Sequence, residues 1–338
     1  MAQITVTGAN LIYDCDEADT VLRAALRAGL GFPYECNVGS CGNCRFELLE
    51  GEVEHARTDA PAWTDRDRQR KRYLGCQARA LIDCRIKVNL RDHYRSVHRP
   101  RRTTARLFEI EDITHDMREF RFRLGEPAPF LPGQYALLAI PGVVGNRAYS
   151  MCNVTEAGEE WHFQIKRVPN GAATERLFDM IGIADTIAVD GPYGMAYLRE
   201  DVPRDILCLA GGSGLSPMIA ITRAAAVSPK LAGRTLHFIY GGRFARDICG
   251  EPMLKCLPGY GERIFYHPAV SMPESDPDIA GWQGHLGFVP DVAKKMFGDD
   301  LTRFEIYFAG PPAMAEAVMR TLVEMKVPTD QVHYDQFY

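Results

Sequence analysis

No stretch of this 338-residue sequence approaches the roughly 18 consecutive apolar residues that a membrane-crossing helix needs. Its start, Met1-Ala-Gln-Ile-Thr-Val-Thr-Gly8, lacks a basic segment followed by an apolar run, so no secretory leader is read and the protein is expected to be cytoplasmic, with no membrane association. Internal repeats and low-complexity segments are missing as well. Charge of one sign is scarce: a net charge of -5 leaves no electrostatic footprint for wrapping nucleic acid, although a docking face for a redox partner stays open. Ten cysteines are present, and in a reducing compartment they are not expected to pair as disulfides. Metal ligation is then the better account of any clustered subset.

The length predicts two or three domains, and the composition, 46% hydrophobic and 25% charged, supplies apolar surface for several cores. Residues 1–92 open with two alternating strands and the helical pattern Val21, Leu22, Ala25, Leu26 closed by Gly29. A basic stretch without apolar periodicity, Arg91 to Arg102, reads as a structureless linker. Residues 103–200 carry short alternating strands with Pro/Gly turns, the signature of a small antiparallel barrel. Residues 203–338 change rhythm to apolar runs (Ile206–Ala210, Leu236–Tyr240, Glu305–Ala309), each followed by a glycine turn and a helix-compatible segment, which predicts a parallel doubly wound α/β sheet.

The strongest local signal is Cys36-Asn-Val-Gly-Ser-Cys41-Gly-Asn-Cys44 with a distant Cys76. This C-x4-C-x2-C…C spacing is that of a plant-type 2Fe-2S cluster, and the small residues Gly39, Ser40, Gly42 and Asn43 allow main-chain amides to curl onto the sulfurs. A structural zinc site is disfavoured because only one short C-x2-C pair exists. Cys84 is an alternative fourth ligand, but it lies in the alternating run Ile82-Asp-Cys-Arg-Ile-Lys-Val, where a small buried cysteine is the simpler reading. Cys15, Cys152, Cys208, Cys249 and Cys256 are scattered and read as structural.

Phe32-Pro-Tyr-Glu-Cys36, Glu47 to Val53 and Leu74-Gly-Cys-Gln77 resemble the ferredoxin domain of oxygenase reductases, and the domain order resembles the same family throughout. The family is the reductase components of multicomponent aromatic and alkene monooxygenases and dioxygenases, with the toluene and alkene monooxygenase reductases most alike. The resemblance implies a β-grasp ferredoxin domain, an FAD barrel and an NADH-binding α/β domain. It assigns the flavin motif R-x-Y-S to Arg147, Tyr149 and Ser150, with Ser150 near the flavin N5. Gly171 and Thr174, opening a helical segment, would meet the flavin pyrophosphate. Gly211, Gly212, Ser213 and Gly214 resemble the family's G-G-S/T-G-x-A/S-P nucleotide loop. Gly310 and Pro311 resemble the family's C-G-P-P-x-M motif beside the nicotinamide, with Ala309 standing where that pattern has cysteine. In Arg243 to Asp247 the charges are mixed: Arg243 and Arg246 suit a 2'-phosphate and Asp247 repels one, and the resemblance favours NADH. Phe337 and Tyr338 are expected to stack on the flavin.

The function implied is electron transfer from NADH through FAD and the 2Fe-2S cluster, as a monomer, to an oxygenase hydroxylase component or a Rieske ferredoxin. Two other readings remain: a dehydrogenase for a small acceptor such as a quinone, and an iron-sulfur redox sensor.

Overall fold

A computed structural model describes residues 1–335. The first ninety residues wrap a five-stranded sheet around one helix. Strands β1 (Ala2–Val6) and β2 (Leu11–Cys15) pair antiparallel and bury Ile4, Val6 and Tyr13 on one face. Helix α1 (Val21–Arg27) follows, capped by the Thr20 hydroxyl on the Arg23 amide at 3.3 Å, and its apolar stripe Val21, Leu22, Ala25 and Leu26 is fully buried against the sheet. β3 (Arg45–Glu50), β4 (Val53–His55), helix α2 (Asp65–Gln69), β5 (Arg72–Leu74), β6 (Ala78–Ala80) and β7 (Cys84–Lys87) complete the unit, with main sheet order β2-β1-β7-β3-β5 and a separate antiparallel pair of β4 with β6.

The basic stretch after it is less free than expected. A 3-10 turn forms at Asp92–Tyr94, the Arg91 amide donates to the Gly31 carbonyl at 2.8 Å, and the Arg99 guanidinium lies against Gly29. The absence of apolar periodicity was real; backbone hydrogen bonding and arginine packing, which periodicity does not report, tie the segment down.

β8 (Arg101–Thr114), β9 (Met117–Leu124), β10 (Tyr135–Ala139), β11 (Arg147–Ser150), β12 (Glu160–Lys166), helix α3 (Ala172–Asp179) and β13 (Thr186–Tyr193) form the second unit, in the order β11-β10-β13-β8-β9-β12. The two ends of that sheet meet at a bridge between Met151 and Phe163, which curls it toward a barrel filled by Phe120, Phe122, Trp161 and Phe163.

The third unit is parallel. β14 (Asp205–Gly211), α4 (Leu215–Val227), β15 (Leu236–Gly242), α5 (Glu251–Lys255), β16 (Ile264–Val270), β17 (His285–Leu286), α6 (Val289–Phe297), β18 (Phe304–Ala309), α7 (Pro312–Glu324) and β19 (Val332–His333) alternate strand and helix except from β16 to β17. Their order β17-β16-β15-β14-β18-β19 reverses between β14 and β18, and a crevice at the carboxyl ends of such a pair is where doubly wound sheets bind ligands.

Candidate functional site

The four thiols of the C-x4-C-x2-C…C pattern come together although Cys76 is distant in sequence. Cys36 and Cys41 interact through their thiols, as do Cys44 and Cys76. Three backbone amides, from Val38, Ser40 and Cys41, point at the Cys36 sulfur at 3.5, 3.3 and 3.4 Å. The Cys41 thiol and those amides lower the Cys36 pKa to about 5, whereas Cys44 is pushed well up by Cys76 and by burial. A soft four-sulfur set with amides aimed at it is the donor chemistry an iron-sulfur cluster takes. Cys84 stands apart in β7, where its thiol donates to the Ile82 and Glu52 carbonyls at 3.2 and 3.5 Å.

The ferredoxin unit is fastened to the barrel by buried charge. Arg27, at the end of α1, donates to both Asp190 oxygens at 2.9 and 2.8 Å and to both Asp19 oxygens at 2.8 and 3.2 Å. Arg102 reaches Asp19 at 2.8 Å, and the Tyr193 hydroxyl donates to Asp190 at 2.8 Å. Asp19 and Asp190 are 3% and 5% exposed, so this cluster holds only because every charge in it has a partner. Beside it the Tyr135 hydroxyl donates to the Glu35 carbonyl at 2.6 Å, one residue from Cys36, and the Gly194 amide donates to the Tyr34 hydroxyl at 3.1 Å.

On the barrel, Arg147, Tyr149 and Ser150 occupy the edge strand β11, half-buried. The Arg147 guanidinium turns onto the Val144, Gly145 and Asn146 carbonyls and pairs with no carboxylate among the described residues, which leaves its charge for an anionic ligand. Burial pushes the Tyr149 hydroxyl up to about 12. Gly171 is the N-cap of α3, but the Thr174 hydroxyl is engaged in its own turn, with the Val168 amide at 3.1 Å and the Gly171 carbonyl at 3.1 Å. The helix amides, rather than that hydroxyl, are what α3 offers a phosphate.

In the third unit, Gly211, Gly212, Ser213 and Gly214 form the turn from β14 into α4, at the strand-order reversal. A Cβ on Gly214 would fall 2.0 Å from the Ala309 carbonyl, and one on Gly211 would fall 2.7 Å from the Met314 sulfur, so the two loops close on each other at Gly310. Pro311 is exposed beside them. The Ser216 hydroxyl donates to the Ser150 carbonyl at 2.6 Å and accepts from the Gln164 backbone amide at 3.3 Å, joining the start of α4 to β11. Asp247 faces inward: its carboxylate accepts from the Arg243 and Phe244 amides, both at 3.1 Å, and lies 3.8 Å from both Lys166 and His115. Arg243 and Arg246 remain exposed, Arg246 over the Phe244 ring at 5.4 Å. Phe337 and Tyr338 lie outside the described residues.

Sequence reasoning missed Arg27 and Asp19, and although Ser216 lies in the glycine-loop motif and Asp190 in the Asp190-Gly-Pro-Tyr-Gly194 stretch, the bonds they make were not foreseen. No local pattern reports such bonds, since Arg27 and Asp190 are 163 positions apart.

A four-thiol loop, an arginine on a barrel edge that meets no carboxylate among the described residues and a glycine turn at a strand reversal, in units joined by the Tyr135–Glu35 and Ser216–Ser150 bonds, define an iron-sulfur flavoprotein oxidoreductase. Residues 4–81 match the 2Fe-2S iron-sulfur cluster binding domain, residues 104–197 the oxidoreductase FAD-binding domain and residues 208–320 the oxidoreductase NAD-binding domain. Among curated relatives, "Ferredoxin--NAD(P)(+) reductase CarAd" of Metapseudomonas resinovorans is 38% identical over 335 residues, 96% of each chain. The "Alkene monooxygenase system, ferredoxin--NAD(+) reductase component" of Xanthobacter autotrophicus is 36% identical over 328 residues, 96% of this chain and 97% of the relative. The solved "Ferredoxin reductase in carbazole 1,9a-dioxygenase" superposes with a TM-score of 0.90 at 35% identity, covering 100% of this chain and 98% of that one. The chain belongs to this family of three-domain ferredoxin--NAD(P)(+) reductases, and its cofactors are a 2Fe-2S cluster, FAD and a nicotinamide nucleotide. No helix among the described residues is long and apolar enough to cross a membrane.

Proposed function

We propose that the chain is an NADH-dependent reductase delivering single electrons to the hydroxylase component or Rieske ferredoxin of a hydrocarbon-hydroxylating oxygenase, and that it works as a monomer. Relatives named as components of alkene monooxygenase and naphthalene dioxygenase systems support the oxygenase partner. One observation carries the electron-transfer reading. The nucleotide loop bonds to the flavin strand through Ser216 and Ser150, Ser150 pairs in register with Tyr135, and Tyr135 bonds to Glu35 beside Cys36. Three sites in separate units are thus linked through two hydrogen bonds and one cross-strand neighbour pair, a connection that neither a freestanding sensor nor a small-acceptor dehydrogenase requires.

When bound, the flavin takes the hydride's electron pair and the iron-sulfur centre carries electrons singly. In this reading Cys36, Cys41, Cys44 and Cys76 hold the iron. Arg147, Tyr149, Ser150, Gly171 and the first amides of α3 hold FAD, and the turn from Gly211 to Gly214 with Gly310 and Pro311 seats the nucleotide. The divisions at 92/103 and 200/203 are proposed as the borders of three domains, since each range holds its own sheet. Rapid mixing with NADH tests the reading: bleaching of both flavin and cluster followed by turnover only when an acceptor protein is added is expected. Full turnover with a quinone alone would transfer the case to the small-acceptor reading, and a cluster that NADH does not bleach would end it.

A further inference from the structure

Three of the four clustered thiols are buried, and only Cys41 is partly open to solvent, beside exposed Asn43. The rim of that opening mixes both signs: the Glu35 carboxylate accepts from the Asn43 side-chain amide at 2.6 Å and Asp59 pairs with Arg57 at 3.3 Å, while arginines contribute the rest. The Arg45 guanidinium lies against Gly42, donates to the Ala62 carbonyl at 2.8 Å and pairs with Asp67 of α2 at 3.0 Å. Arg57 reaches the Val38 carbonyl of the cluster loop at 3.3 Å, and the Ala62 amide donates to the Gly39 carbonyl at 3.3 Å. These bonds fix the 57–72 segment to the loop, and a capping box from Thr64 and Asp67 fixes the start of α2. The segment Arg57-Thr-Asp-Ala-Pro-Ala-Trp-Thr-Asp-Arg-Asp-Arg-Gln-Arg-Lys-Arg72 carries six cations against three carboxylates, the reverse of the chain's overall negative sign. Arg68 is paired with Asp65 at 3.1 Å and Arg72 with Glu47 at 4.0 Å. Arg66, Arg70 and Lys71 are exposed and make no ion pair among the described residues.

We infer that the face formed by the Cys41 edge, Arg66, Arg70 and Lys71 is the docking surface for the electron acceptor, and that the acceptor presents an acidic protein surface there. This rests on the reductase reading and adds the chemistry of the partner. The position follows from exposure, since an electron leaves a buried centre by its least covered ligand. The sign follows from the field: unpaired cations anchored to that loop attract carboxylates, repel a basic partner and raise the encounter rate at low salt.

Two haem proteins of opposite charge make the test: acidic cytochrome b5 and basic cytochrome c, each taking one electron, so that two ferric haems are reduced and one proton released per NADH oxidised. The holoenzyme is expected to bind cytochrome b5, measured by calorimetry without turnover, with an affinity that falls steeply as salt rises, and to reduce it faster than cytochrome c at low salt. The double variant Arg66→Glu, Arg70→Glu should weaken cytochrome b5 binding by about tenfold and reverse the preference toward cytochrome c. Lys294→Glu with Lys295→Glu on α6 makes the same charge change far from the cluster loop and should alter neither. Flavin bleaching by NADH should stay within about twofold in all variants, because no substitution touches the hydride site. Equal effects of the two double variants, or salt-independent binding of cytochrome b5, would overturn the docking face. Tighter capture by phosphatidylglycerol vesicles than by cytochrome b5 would overturn it in favour of a membrane. Loss of NADH bleaching in the parent chain would instead sink the reductase reading.

Discussion

At the scale of the single residue, the ligand set invites the sharpest experiment. Cys76→Ser should abolish the cluster's visible absorbance and acid-labile sulfide while NADH still bleaches the flavin, because the thiols and the β11 edge sit in different units. Cys84→Ser should keep iron and sulfide, since that thiol bonds the Glu52 and Ile82 carbonyls and none of the clustered sulfurs. Nucleotide choice turns on side chains whose roles the structure separates. Asp247, read from sequence as a repulsive charge for a 2'-phosphate, is 8% exposed and holds the Arg243 and Phe244 amides. Replacing it by Asn should therefore weaken NADH and NADPH alike. Replacing Arg243 and Arg246 together by Ala should raise the NADH to NADPH ratio of kcat/KM by about tenfold, equivalent to about 1.4 kcal/mol. Spacing made the cysteines legible in the sequence, because ligands on one loop must be close in the chain. It could not say which way Asp247 points, because a carboxylate near two arginines reads the same whether it faces solvent or caps a turn.

At the scale of the element, α1 does more than fill a groove of its sheet. Its last residue, Arg27, is the bridge to β13, and Arg27→Ala would leave Asp19 and Asp190 facing each other with less compensation. The loss should be about 3 kcal/mol in denaturant unfolding of the ferredoxin unit, the low end for a broken buried pair because Arg27 is 22% exposed. The pH dependence has a fixed sign. Burial alone would raise the Asp19 carboxyl, but hydrogen bonds and charge from Arg27 and then Arg102 outweigh it and hold the group below its usual value. A carboxyl depressed in the folded state stabilises at pH above its unfolded value and loses that contribution as pH falls through the folded one. Chemical-denaturation midpoints should thus be flat near neutrality with respect to Asp19 and fall as acid is added below about pH 4, and Asp19→Asn should flatten that acid limb. Element types were legible where the pattern was strong: Val21 to Leu26 at helical spacing, and the three apolar runs that became β14, β15 and β18. The arginine-rich connection was not, because its order comes from hydrogen bonds of the Arg91 amide and from an arginine packed on Gly29.

At the scale of the whole molecule, purified protein should contain about two irons, two labile sulfides and one FAD per chain, read by metal and sulfide analysis and by flavin release. One core cluster already crosses the border between units, with Tyr135, Leu137 and Tyr193 of the barrel packed among ferredoxin residues. The Arg27 bridge gives this shared border a consequence for recombination between relatives. A crossover in the linker would leave Arg27 and Asp19 on one parental half and Arg102, Asp190 and Tyr193 on the other. A chimera whose first ninety residues came from a parent that keeps Asp19 but lacks the arginine would bury two carboxylates at the seam with Arg102 as their one shared cation. The halves of this gene are thus inheritable separately only among parents that keep both sides of one five-residue match, and hybrid libraries should show that constraint as missing combinations.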